Sequence, residues 1–139
     1  ARARAASAVA DLSFLMEDRD RELMEEALLK NLDDDDFEVL METIIALSKI
    51  SRNVDLVRKF RRFYYHSSWK VRDAIVRAFI NLIDRGVADP ALIRRELEEL
   101  LLTCDFFSPS FPLKNDLQKL IERLKEEARP LAGPRSVRS

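Results

Sequence analysis

The chain is short of the residues that folds use to turn corners and that many sites use to do chemistry. It has two glycines, one cysteine (Cys104), one histidine (His66), one tryptophan (Trp69) and one glutamine (Gln118) in 139 residues. A lone cysteine excludes an internal disulfide and a zinc site built on cysteines, and it suits a reducing, cytoplasmic setting. His66 has no second His or Cys with which to hold a metal. A phosphate-cradling glycine loop, a dinucleotide fingerprint and a nucleophile elbow are all missing. No apolar run approaches the roughly 20 residues that cross a bilayer. No stretch alternates with period two for long enough to be a strand. Neither a cofactor, a metal, a catalytic constellation nor a membrane partner is therefore expected.

What the chain does have is charge and apolar bulk, 35% and 47% of residues, enough for one domain with a real core. It begins with Ala, as a processed product or an excised domain would. The opening "ARARAASAVA" is basic like a transit peptide, but Ala5, Ala8, Val9, Leu12 and Leu15 share one helical face, which predicts a first helix instead. Abundant Glu, Arg and Lys beside a single Gln is a balance seen in heat-adapted proteins. Net charge is −1 but unevenly spread. Residues 17–42 carry twelve acids against three bases, and residues 49–77 carry nine bases against two acids. Such polarity steers a partner or is neutralised between neighbouring helices.

Apolar residues recur at i, i+3, i+4 and i+7 throughout. The pattern predicts seven helices, at 2–16, 19–32, 36–51, 54–65, 68–85, 90–104 and 113–128. Asp33 to Asp36 can cap the third. Ser67 or Ser68 can cap the fifth, and Gly86 suits its exit. Asp89-Pro90 is a cap followed by a first-turn proline, and Pro112 opens the last helix. The tail "RPLAGPRSVRS" has no apolar period and is expected to be flexible. The pattern also repeats. A shift of 32 lays Phe37 on Trp69, Val39 on Val71, Ile44 on Val76, Ala46 on Ala78, Leu47 on Phe79 and Ile50 on Leu82. Each copy is followed by a second stripe: Leu23, Met24, Ala27 and Leu28; Leu56, Val57, Phe60, Phe63 and Tyr64; Ile93, Leu97, Leu100 and Leu101. Three helix pairs and a closing helix fit an α-solenoid of short repeats.

"SSWKVRDAIVRAFINLID", residues 67–84, resembles the first helix of a HEAT repeat, and "DDFEVLMETIIALSKI", residues 35–50, resembles a more degenerate copy. The resemblance covers about residues 1–104. It implies a curved stack whose second helices line the concave face, with partner binding as the default role. The DNA-glycosylase branch of such folds places Trp, Asp and Arg in the concave cleft, whereas Trp69, Arg72 and Asp73 adjoin one another on a first helix. The expected fold is thus all-α: an α-solenoid of about three HEAT-like helix pairs plus a C-terminal capping helix. Residues 1–128 form the repeat domain and residues 129–139 the flexible tail.

The stretch "KFRRFYYHSSWKVR", residues 59–72, mixes bases with rings. On a wheel starting at Leu56, the apolar Val57, Phe60, Phe63 and Tyr64 occupy about 120° of arc and turn inward. Arg58, Arg61, Arg62 and Tyr65 share the opposite face. This basic face has two readings. It can lie beside Glu22, Glu25 and Glu26 of the neighbouring second helix, or it can bind phosphate or an acidic protein segment. Trp69, matching Phe37, is expected to pack.

Arg72 falls among Ile75, Val76 and Phe79, where a charge needs a partner; Asp35 or Asp36 is the expected one. The Asp33–Asp36 run lacks the spacing of a calcium loop and reads as capping. Cys104 reads as a buried thiol, His66 as a polar turn residue, and the glutamates of "ELMEEALL" and "RRELEELLL" as solvated surface. Phe106, Phe107 and Phe111 lie between helices and cover the end of the stack or form a docking surface. The expected function is a non-catalytic protein–protein interaction or scaffold module, using the second-helix face around Arg58, Arg61, Arg62 and Tyr65. The alternative is nucleic-acid binding through the basic patch at residues 58–72.

Overall fold

The computed structural model describes residues 18–104 and 111–127, and these form an all-helical structure with no strand among the described residues. Six helices follow in order: α1 (Asp18–Lys30), α2 (Phe37–Ile50), α3 (Leu56–Lys59), α4 (Trp69–Asp84), α5 (Pro90–Thr103) and α6 (Phe111–Glu127). Short 3-10 turns follow α1 at Asn31–Asp33 and α3 at Phe60–Phe63. The expected helix 2–16, the tail 129–139, and Phe106 and Phe107 lie outside the described residues. No helix among the described residues is long and apolar enough to cross a membrane. The chain divides into two compact units, residues 1–88 and 89–139.

The first unit is organised by α2 against α4. Asp36 stands at the α2 N-cap, where its carboxylate accepts the Glu38 N–H at 2.9 Å, and Asp34 accepts the Asp36 N–H at 2.8 Å. These bonds satisfy donors that the helix start leaves open, and they put negative charge at its positive end. Between the two helices, Asn81 Nδ2 donates to Ser48 Oγ at 2.9 Å. Arg85 Nη1 donates to the carbonyls of Ser48 at 2.8 Å and Ser51 at 2.6 Å, closing the C-terminal end of α2 with a positive charge. These bonds join residues 33 to 37 positions apart. Lys70 over the Phe37 ring at the other end obeys the same offset, so α2 and α4 run parallel in a register close to the sequence repeat.

Burial follows that register. Val39 and Val71, Ile44 and Val76, Ala46 and Ala78, Leu47 and Phe79, and Ile50 and Leu82 are all at most 5% exposed. The match extends to its outer member, because Phe37 and Trp69 are 38% and 43% exposed. Trp69 therefore does not pack fully as expected. At the far end of α4, Gly86 takes φ 72°, the left-handed exit that a glycine tolerates best. α1 contributes Leu28 to the core, and the 3-10 turn after it Leu32, while Leu23 stays 57% exposed, so only part of the expected stripe of α1 is buried.

In the second unit, Asp89 caps α5 through the Ala91 N–H at 2.9 Å, with Pro90 in the first turn. Ile93, Leu97 and Leu100 of α5 are buried, as are Leu113, Leu117, Leu120, Ile121 and Leu124 of α6. The sequence expectation fails at two points here. Phe111 opens α6 instead of lying outside helix. Glu96 is 3% exposed instead of solvated, because positions 93, 96, 97 and 100 share one face and Glu96 falls inside the apolar stripe.

Replacing Arg85 with Met should lower unfolding free energy by about 1–2 kcal/mol, since it removes a charged cap and two bonds to carbonyls. Arg77→Met, which within the chain breaks only the exposed pair with Asp73, should cost less than about 0.5 kcal/mol at low protein concentration. Equal shifts in the two denaturation curves would remove the cap from the account.

Candidate functional site

The strip singled out by the sequence lies on a segment that the loop before it aims. Ser51 Oγ accepts the Asn53 N–H at 3.1 Å and Asn53 Oδ1 accepts the Asp55 N–H at 2.9 Å, two side-chain turns that bend the chain into α3. A continuous helix over 54–65 is expected from the pattern; the structure has one α-helical turn and then a 3-10 turn. In 3-10 geometry residues i and i+3 eclipse. Phe60 and Phe63 therefore fall on the same inner side, and Arg61 and Arg62 are left outside. The Phe60 ring centre lies 6.2 Å from that of Phe79, and Tyr64 meets Phe79 edge-on at 6.5 Å. With the rings anchored inward, Arg58, Lys59, Arg61, Arg62 and Tyr65 are all exposed, and Tyr65 is 62% exposed.

The acids and bases meet in only part of the way expected. Lys59 and Arg52 do face Glu22, Glu25 and Glu26 across an open groove of about 770 Å³, floored by Leu29, Val54 and Val87. Arg52 pairs there with Asp18 at 3.0 Å. Arg62 turns elsewhere, to Asp33 at 3.0 Å, while its guanidinium sits 4.9 Å from the Phe63 ring centre. The Asp33 pair ties the strip to the 3-10 turn after α1, and the Phe63 contact steadies the guanidinium within the strip.

Three of the four aspartates do structural work: Asp33 pairs with Arg62, while Asp34 and Asp36 cap backbone N–H groups. Asp35 and Asp36, the partners expected for Arg72, are both exposed, and Asp36 accepts the Glu38 N–H. Arg72 itself is 1% exposed, as its place among apolar neighbours implied. It lies close enough to His66 to act on that ring. His66 Nδ1 accepts the Ser68 N–H at 3.0 Å, so this nitrogen carries no proton. Burial first, and the Arg72 charge second, lower the imidazole pKa below its ordinary 6.5. Ser68 holds the α4 N-cap position without a side-chain cap bond, and His66 fixes the turn in its place.

Cys104 is a buried thiol whose Sγ lies 3.9 Å from the Leu100 carbonyl. No group of three metal-ligating side chains occurs among the described residues. Two features escaped the sequence reading. One is the Arg85 cap, which depends on a contact between repeats that no local pattern reveals. The other is a surface hollow between α2 and α4, lined by Met41, Ile45, Trp69, Lys70, Asp73, Ala74 and Arg77. Its one sequence signal was the pairing of Phe37 with Trp69.

Comparison with protein-family models, with curated proteins and with solved structures finds no match to this chain.

His66 supplies a pH test. A folded-state pKa below the unfolded 6.5 means the unfolded chain binds more protons, so stability rises with pH and is level above that value. Acidification from pH ~7.5 to ~5.5 should lower stability, and His66→Asn, whose amide oxygen can accept the same Ser68 N–H, should lose less. An identical pH slope in urea titrations of both proteins would contradict this role.

Proposed function

We propose that the chain is a HEAT-like helical-repeat module that binds a protein partner without catalysis, and that its contact face is the strip Arg58, Arg61, Arg62 and Tyr65. The observation that carries the reading is the sorting of side chains along residues 56–65. The apolar rings are buried against Phe79 while four bases and one tyrosine are presented to solvent on one short segment. Arginine recognises carboxylates through paired N–H donors, and a rigid tyrosine adds amphipathic area at small entropic cost. The fitting partner is an acidic segment. The solenoid arrangement belongs to the same proposal; its support is the parallel packing of α2 and α4 in a register close to the 32-residue repeat.

Nucleic acid is the second reading, favoured by the bases and opposed by the rings. Single-stranded nucleic acid needs aromatic platforms beside the charge, and Tyr65 is the strip's one exposed ring. Directly across the adjoining groove, Glu22, Glu25 and Glu26 would repel phosphate.

Titration with a Glu/Asp-rich peptide and with a single-stranded oligonucleotide separates the readings. The peptide should bind, and the Arg58→Glu/Arg61→Glu variant should lose at least ~10-fold in affinity. The oligonucleotide should bind no tighter than ~10 µM at low salt. Tighter oligonucleotide binding that falls steeply with salt would replace the protein-binding reading with the nucleic-acid one.

A further inference from the structure

The outer face of the α2–α4 pair carries a feature that the basic strip does not use. Two hollows of about 290 and 310 Å³ adjoin along it and share Ile45 and Arg77. Met41, Ile45, Trp69 and Ile80 line them, and Phe37 and Trp69 stand exposed as the first residues of their helices. The charges on this face differ by helix. α2 presents Glu38 and Glu42, and α4 presents Lys70 and Arg77 with Asp73 between them, held by Arg77. Among the described residues Glu38, Glu42 and Lys70 make no ion pair, and Arg77 pairs with Asp73 of its own helix.

We infer that this face is the interface of a symmetric homodimer. The argument is one of charge and register. Because α2 and α4 are parallel and their contacts join positions 33 to 37 apart, positions 32 residues apart stand within about one turn of the same height. Phe37 is thus close in height to Trp69, and Glu38 to Lys70. A two-fold axis running along the helices, midway between them, sets α2 of one copy on α4 of the other. Phe37 then meets the partner's Trp69 and Glu38 meets the partner's Lys70, and each contact occurs twice. Glu42 faces the partner's Arg77 about one turn away. A two-fold axis across the helices would instead set α2 on α2, bringing Glu38 and Glu42 of both copies together. The glutamates brought together in this way disfavour that arrangement. The face is thus better matched to itself in the first orientation than in the second. Its apolar centre of Met41, Ile45, Trp69 and Ile80 has the composition of an interface core, where aromatic and Met side chains are enriched.

Charge swapping tests it on the full chain by sedimentation equilibrium, with thermal melts as a check on folding. Wild type should be dimeric at ~100 µM. Glu38→Lys and Lys70→Glu should each weaken the dimer at least ~10-fold, because either change breaks the pair at both symmetric positions. The double variant Glu38→Lys/Lys70→Glu exchanges the charges and should restore the dimer. A monomeric wild type overturns the inference. So does a dimer indifferent to the single reversals, or a double variant that stays as weak as the singles.

Discussion

The packing of α2 against α4 is the interaction on which the first unit depends. Two helices of similar pattern lie parallel, and Val39, Ile44, Ala46, Leu47 and Ile50 in one each have a buried apolar counterpart 32 residues later in the other. Polar contacts fix what apolar packing leaves loose. Ser48 with Asn81, and Arg85 on the last carbonyls of α2, allow a single sliding position. Burial is non-directional, and hydrogen bonds are not, so the first supplies the driving force and the second the register.

The candidate surfaces are consequences of that pair. Phe79 of α4 receives Phe60 and Tyr64, and anchoring those rings forces the bases of the same segment outward. The shift from α-helix to 3-10 turn at Phe60 strengthens the sorting, since it aligns Phe60 with Phe63. Arg72 and His66 belong to the junction between this segment and α4. Burial of the imidazole first, and the Arg72 guanidinium beside it second, disfavour a positive charge on His66, the ring that holds the turn. On the opposite side of the pair, the register sets acids on α2 close in height to bases on α4. One constraint thereby accounts for a basic strip on one side and a self-complementary face on the other.

Much of this was legible in the residues, for identifiable reasons. Helix identity and order came from 3.6-residue periodicity, and Asp36, Asp89, Pro90 and Gly86 mark their helix ends by chemistry that acts within a few residues. The wheel separated Phe60, Phe63 and Tyr64 from Arg58, Arg61 and Arg62 because side-chain direction is a local property. What was not legible is non-local. Arg85 carries no local signal of its role, since its acceptors are 34 and 37 residues away. Glu96 was read as solvated from its charge, although its position on the Ile93–Leu97–Leu100 stripe already placed it inside. Trp69 was expected to pack because it matched Phe37, and the match held in the form of shared exposure.

Native-state hydrogen exchange, read residue by residue, tests most directly the claim that the α2–α4 pair is the kernel of the first unit. The amides of Ile44 and Leu47 in α2 and of Phe79 and Leu82 in α4 should exchange most slowly there and through one common opening. Those of α1 and of the Phe60–Phe63 turn should exchange through openings smaller by about 1–2 kcal/mol. Amides of α1 or of that turn as well protected as those of α2 and α4, or α2 opening while α4 stays closed, would contradict the account.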